Sequence, residues 1–121
     1  MSEAHTLGIS GEKTAATFLE AHGYRILYKN WKWGRNEIDI IAEKNDVIAF
    51  VEVKTRSENP QDDPRNTITA DKRRAIIFAA DGYIRRFNVD KEARFDLITV
   101  IGQGDQQKVE HTEGAFYPTL H

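Results

Sequence analysis

The chain has 121 residues, 40% of them hydrophobic and 30% charged, with a formal net charge of −2 and no cysteine. That is the size of one domain with one core. No run is long and apolar enough for a signal peptide or a membrane span, so the expected compartment is the cytoplasm, with no membrane partner. The lack of cysteine excludes disulfides, thiolate zinc sites and cysteine nucleophiles. A typical basic nucleic-acid-binding domain is more positive, but local basic patches matter more than the sum.

Residues 6 to 22 read as a helix. Thr6 or Ser10 can cap it, Ala15, Ala16, Phe18 and Leu19 supply its apolar face, and Gly23 marks its stop. Tyr24 to Tyr28 alternates as a strand that opens into a loop, and "GRN" is turn chemistry. Glu37 to Ala42 and Val47 to Thr55 read as two strands joined by the turn "EKND". The polar segment 56–67, "RSENPQDDPRNT", holds two of the three prolines and reads as a mobile loop. Thr69 then caps a helix running to about Phe87. "RFDLITVIG" is a further strand, and the tail 102–121 offers a last one around Lys108 to His111. Helix, three strands, helix, strand is a mixed α/β domain with helices packed on a central sheet. It spans 1–121, with its core at about 7–101.

The two central strands carry charges that a packed sheet does not need. Side chains alternate across a strand, so Phe50, Glu52 and Lys54 share one face and Val51 and Val53 the other. On the preceding strand Glu37, Asp39 and Ile41 share a face, opposed by Ile38 and Ile40. A two-residue turn at Asn45-Asp46 sets Asp39 directly opposite Glu52, and one at Lys44-Asn45 makes the pair diagonal. Both registers bring Asp39, Glu52 and Lys54 within reach of one another. Two carboxylates about 4 Å apart repel by roughly 4 kcal/mol at an effective dielectric near 20, so a proton or a cation must relieve them. Oxygen ligands favour Mg²⁺ or Mn²⁺. Lys54 would then stand beside the ion, orienting a water or balancing developing negative charge. The plainer alternative is a half-exposed hairpin with surface ion pairs, each contributing about 0 to 1 kcal/mol.

Further charges stand at the heads of the two helices. Glu12 heads the stripe of Ala15, Ala16 and Leu19, either favouring the helix N-terminus or serving as a third carboxylate aimed at the same centre. Lys72 heads the stripe of Ile76, Ala79, Ala80, Tyr83 and Phe87, in a first turn where a cation opposes the helix dipole. It either snorkels past the core or serves a phosphate together with the free helix amides. Arg56, Arg65, Lys72, Arg73 and Arg74 can form a basic rim around an acidic metal centre, a pattern that suits a phosphodiester backbone. Asp96 reads as a strand-end or hydrogen-bonding residue. His5, His22, His111 and His121 lack metal-ligand spacing and read as surface residues. Trp31 and Trp33 read as core cover before base stacking.

Glu12, Asp39 and the run Glu52-Val53-Lys54 form an ordered set that resembles the PD-(D/E)XK nucleases, with their restriction-endonuclease-like core. More closely, the chain resembles the YraN family of small uncharacterised bacterial proteins. The likeness covers about residues 7 to 101. It rests on "GEKTAATFLEAHGYRILYKNW", "NEIDIIA", "FVEVKTR", the helix headed by Lys72 and "RFDLITV". It implies an αβββαβ nuclease core with a mixed central sheet. The superfamily roles fall on Asp39 and Glu52 as ligands of Mg²⁺ or Mn²⁺, joined by the backbone carbonyl of Val53, with Lys54 assisting the attacking water. Glu12 matches the first-helix acid of the subgroup resembling archaeal Holliday-junction resolvases. The chain departs from the patterns at Ile38, where a proline precedes the acid, at Asn36, where glycine is usual, and at Lys32, where arginine is frequent. The expected function is a metal-dependent phosphodiesterase, an endonuclease on branched or structured DNA, with Arg56, Lys72 and Arg73 contacting nucleic acid. The alternatives are an accessory nucleic-acid-binding module that keeps the fold, and a protein-interaction scaffold. Cutting both strands of a duplex needs two sites, which makes a homodimer the expected assembly.

Overall fold

The computed structural model describes residues 3–58, 68–102 and 104–118, with side chains from Gly11 onward. Its elements are α1 (Glu3–Ala21), β1 (Arg25–Trp33), β2 (Asn36–Lys44), β3 (Val47–Arg56), α2 (Ala70–Arg86), β4 (Glu92–Ile101) and β5 (Lys108–Phe116), with a 3₁₀ turn at Gly104–Gln106. The strands form one mixed sheet in the order β1-β2-β3-β4-β5. Neighbours are antiparallel except β3 and β4, which α2 connects in parallel. This is the mixed α/β architecture expected, and it is consistent with a restriction-endonuclease-like αβββαβ core.

Each helix covers one face of the sheet. On one side Ala15, Ala16 and Leu19 of α1 pack with Ile40, Ala42, Ala49, Val51, Ile98 and Val100. On the other, Ile76, Ala79, Ala80 and Tyr83 of α2 pack with Ile41, Ile48, Phe50, Phe95 and Leu97. The central strands are apolar on both faces because both faces are covered, as parallel pairing requires. The stripe expected on α2 is present, although Phe87 at its end stays 42% exposed.

Thr69 caps α2, its side chain accepting from the Lys72 amide. The other helix starts earlier than expected. Backbone 3–10 is already helical, so Thr6 and Ser10 lie inside α1 rather than at its cap. No proline in this stretch bars the ladder of helical hydrogen bonds. The first strand runs on to Trp33 instead of opening into a loop after Tyr28, because it pairs with β2 as far as Trp33–Asn36. A register shift between Ile26 and Tyr28 and a left-handed Asn30 (φ 53°) absorb its irregular pattern. The ring of Trp33 lies over Gly82 in α2, where a Cβ would collide with it. Trp31 stacks on Trp33 and meets Tyr83 edge-on, so both tryptophans cover the α2 layer.

The tail also contributes more than expected. β5 extends five residues past His111 and pairs along β4, which makes it the fifth strand of the sheet. Residues 59–67, the larger part of the expected loop and including Arg65, lie outside the described residues.

Candidate functional site

The β2–β3 hairpin sets the register. Asn45, at φ 54°, and Asp46 form a two-residue turn closed by the Lys44–Val47 pair. Counting back through Ile40–Val51 aligns Asp39 with Glu52, the first of the two registers considered. The paired ladder stops at Ile40–Val51, and the next free amide, that of Val53, donates to the Asp39 carboxylate at 2.8 Å (Oδ2). Asp39 therefore stands where the two strands part.

The expected alternation holds on β3 but slips on β2. Ile40 packs on the α1 side and Ile41 on the α2 side, yet Ile38 also belongs to the α2 cluster. Ile38 and Ile40 do not share a face as strict alternation required. The slip falls at Asp39, level with the left-handed Asn30 on β1. A local irregularity in two paired strands turns the acid out of the regular pleat.

Glu52 is 8% exposed, and its Oε2 atom is buried without a hydrogen-bond partner. Burial first, and the neighbouring Asp39 second, push its carboxyl up to about 8, against the opposing charges of Lys72 and Lys54. Asp39 and Glu52 are within hydrogen-bonding reach of each other. Lys72 reaches in from the first turn of α2, Nζ standing 3.8 Å from Glu52 Oε2. Glu12 belongs to the same electrostatic neighbourhood. Partial burial raises its carboxyl above the usual range, a hydrogen bond with the Asn30 side chain opposes this, and Asp39 and Glu37 add to it. Among the described residues no three of His, Cys, Asp and Glu are grouped so as to hold an ion by side chains alone. The tight acidic unit is thus the Asp39–Glu52 pair, with Glu12 on its α1 side.

This pair fits a hard cation. It presents carboxylate oxygens, one of them buried without a hydrogen-bond partner, and a repulsion between the two ionised acids that either a proton on Glu52 or an ion relieves. Lys54 lies close enough to lower the Glu52 carboxyl, and Arg56 ends β3 nearby, half-buried. The basic rim is more engaged than expected. Arg73 donates to the Ile68 carbonyl at 3.2 Å, and Arg74 pairs with Asp71.

A second polar cluster lies elsewhere. Of the two readings of Asp96 the hydrogen-bonding one holds: it stands within β4 rather than at its end and is fully buried. It accepts from Arg94 Nε and Nη2, both at 2.8 Å, pairs with His111 Nε2 at 2.8 Å, and accepts from the Gly114 amide at 3.0 Å. Arg94 also bonds the Tyr24 hydroxyl. His111 is no surface residue, its side chain being 10% exposed, because Asp96 draws it inward. Burial alone would raise the Asp96 carboxyl, but these hydrogen bonds hold it below its usual value. An aspartate between Phe95 and Leu97 in an apolar strand was the available signal, since a buried carboxylate demands partners. His22 does lie at the surface, bonding the Phe18 carbonyl of its own helix.

The sequence profile of the uncharacterised protein family UPF0102 matches residues 11–100. A UPF0102 protein of Bacteroides fragilis is 45% identical over 120 residues, covering 99% of both chains. One from Bacteroides thetaiotaomicron is 42% identical, again over 99% of each. Another from Myxococcus xanthus is 37% identical over 95% of this chain and 92% of its own. None of these names states an activity. With 90 of its residues inside the profile and its relatives matched almost end to end, the chain belongs to UPF0102, the YraN family that its motifs resemble.

Proposed function

We propose that this protein is a divalent-metal-dependent phosphodiesterase acting on nucleic acid, with branched or structured DNA as its substrate class and the cytoplasm as its compartment. The observation that carries the reading is the buried Glu52 oxygen that no hydrogen bond satisfies, beside Asp39, at a break in the sheet that Glu12 within α1 and the first turn of α2 both approach. Asp39, Glu52 and the Val53 carbonyl would hold Mg²⁺ or Mn²⁺, which supplies Lewis-acid charge at the phosphate.

The chain's own groups do the rest. Glu52 holds a proton at neutral pH and must release it before its carboxylate can bind a cation. Asp39 is fixed by the Val53 amide, so one of its oxygens is oriented by backbone. Lys54 orients the attacking water or balances charge on the phosphate. Lys72 stands at the first turn of α2, where the positive end of the helix dipole suits a phosphate oxygen, and Arg56 and Arg73 add positive charge along the approach.

The Lys72–Glu52 contact favours one other reading, an accessory nucleic-acid-binding module. There the acid pair would be neutralised from within and need no ion. A cleavage assay on branched, flapped and single-stranded DNA with Mg²⁺ or Mn²⁺ separates the two. The nuclease reading expects cutting that falls by about 100-fold or more in Asp39→Ala and Lys54→Ala. Equal cutting by the variants rejects this site. Binding without metal and without turnover supports the module.

A further inference from the structure

The outer face of α2 carries a charge pattern that neither the core nor the acid pair uses. Asp71, Arg74, Phe78, Asp81 and Arg85 follow one another at spacings of three, four, three and four residues, which lines them up along one side of a helix. All five are exposed, Phe78 at 61%. The ring adjoins apolar neighbours, and a contiguous apolar patch of this kind marks a contact surface where a lone exposed ring would not. Beside it runs a groove of about 620 Å³ whose apolar walls are Ile77, Ile84, Ala93, Phe95 and Pro118.

Read along the helix, the stripe is negative, positive, Phe78, negative, positive. Read backwards it is positive, negative, Phe78, positive, negative. A second copy laid antiparallel about a two-fold axis at Phe78 sets Asp71 against the partner's Arg85 and Arg74 against the partner's Asp81. A parallel copy sets like charge against like at every position. We infer that α2 is the seam of an antiparallel homodimer, with Phe78 of each protomer seated against the apolar groove of the other. A two-fold axis makes such a surface self-complementary.

Within one chain Arg74 already pairs with Asp71 and Arg85 with Asp81. The seam extends these pairs into a shared row and leaves no charge without a partner. The symmetry also sends the two Lys72–Glu52 contacts to opposite ends of the seam, the Lys72 backbones ~18 Å apart along the helix axis at 1.5 Å per residue. The dimer does not depend on the chain being a nuclease.

Sedimentation velocity over a concentration series tests it. The wild type should sediment as a dimer. Phe78→Asp should sediment as a monomer with unchanged far-ultraviolet circular dichroism, and Arg74→Asp should weaken association by at least tenfold. The double variant Arg74→Asp/Asp81→Arg reads negative, negative, Phe78, positive, positive, which is again complementary to its own reverse, so it should restore the dimer. A wild type that stays monomeric throughout overturns the inference, as does a dimer indifferent to Phe78→Asp. A double variant no better than the single one rejects the antiparallel arrangement.

Discussion

Glu52 is the residue at which folding and function pull in opposite directions. Burial beside Asp39 raises its carboxyl from 4.5 to about 8, so the folded chain holds a proton that the unfolded chain releases. Between those two values the native state binds more protons than the unfolded state, and stability must fall as pH rises. Thermal melts of the metal-free protein should therefore drop in midpoint from about pH 5 to about pH 8, a loss of a few kcal/mol. Glu52→Gln, which cannot ionise, should flatten that slope. A wild-type midpoint that is level or rising across the window would remove the strain from the account. Asp96 acts in a different window. Its carboxyl is lowered, so its contribution is complete above its unfolded value of 3.8 and disappears only as pH falls further.

The buried carboxylates of this fold, Asp96 and Glu52, stand inside strands and not at their ends, so each needs partners from neighbouring elements. The Asp96 cluster ties β4 to β5 through His111 and Gly114, and to the start of β1 through Arg94 and Tyr24. Asp96→Asn would leave the largely buried Arg94 guanidinium with only the more distant and exposed Glu113 carboxylate, 3.6 Å from Nη1, as counter-charge. Removing one partner of a buried pair costs about 3 to 5 kcal/mol, so a urea melt should show a loss of that order with the fold otherwise kept. Much of the frame was legible beforehand. Thr69 before an apolar-periodic run marked the start of α2, and the run "EKND" narrowed the β2–β3 turn to two registers, of which the Lys44–Val47 pair selects the Asn45-Asp46 one. The Asp96–His111 pair was not legible, because it forms between strands that pair in space and no local spacing encodes it. The phase slip at Asp39 was hidden for a related reason. It depends on Asn30 of the neighbouring strand taking a left-handed conformation, and each strand alone reads as regular. Polar β5, with Gly114 at φ 61°, shows too little alternation to announce its length.

At the scale of the whole molecule, two apolar layers sandwich the sheet, and the candidate site lies where β2 and β3 separate between them. α2 serves both proposals. Its first turn reaches the acid pair, and its outer stripe offers the two-fold seam. No helix among the described residues is long and apolar enough to cross a membrane. The most direct measurement of the central claim, that Asp39 and Glu52 form a cation site, is calorimetric titration with Mn²⁺ in buffers of differing ionisation heat. About one ion should bind per chain at about pH 7, with release approaching one proton, the one Glu52 must give up. Affinity should be at least about tenfold weaker in Asp39→Asn. A wild type that takes up no Mn²⁺, or one whose binding Asp39→Asn leaves untouched, would contradict the claim.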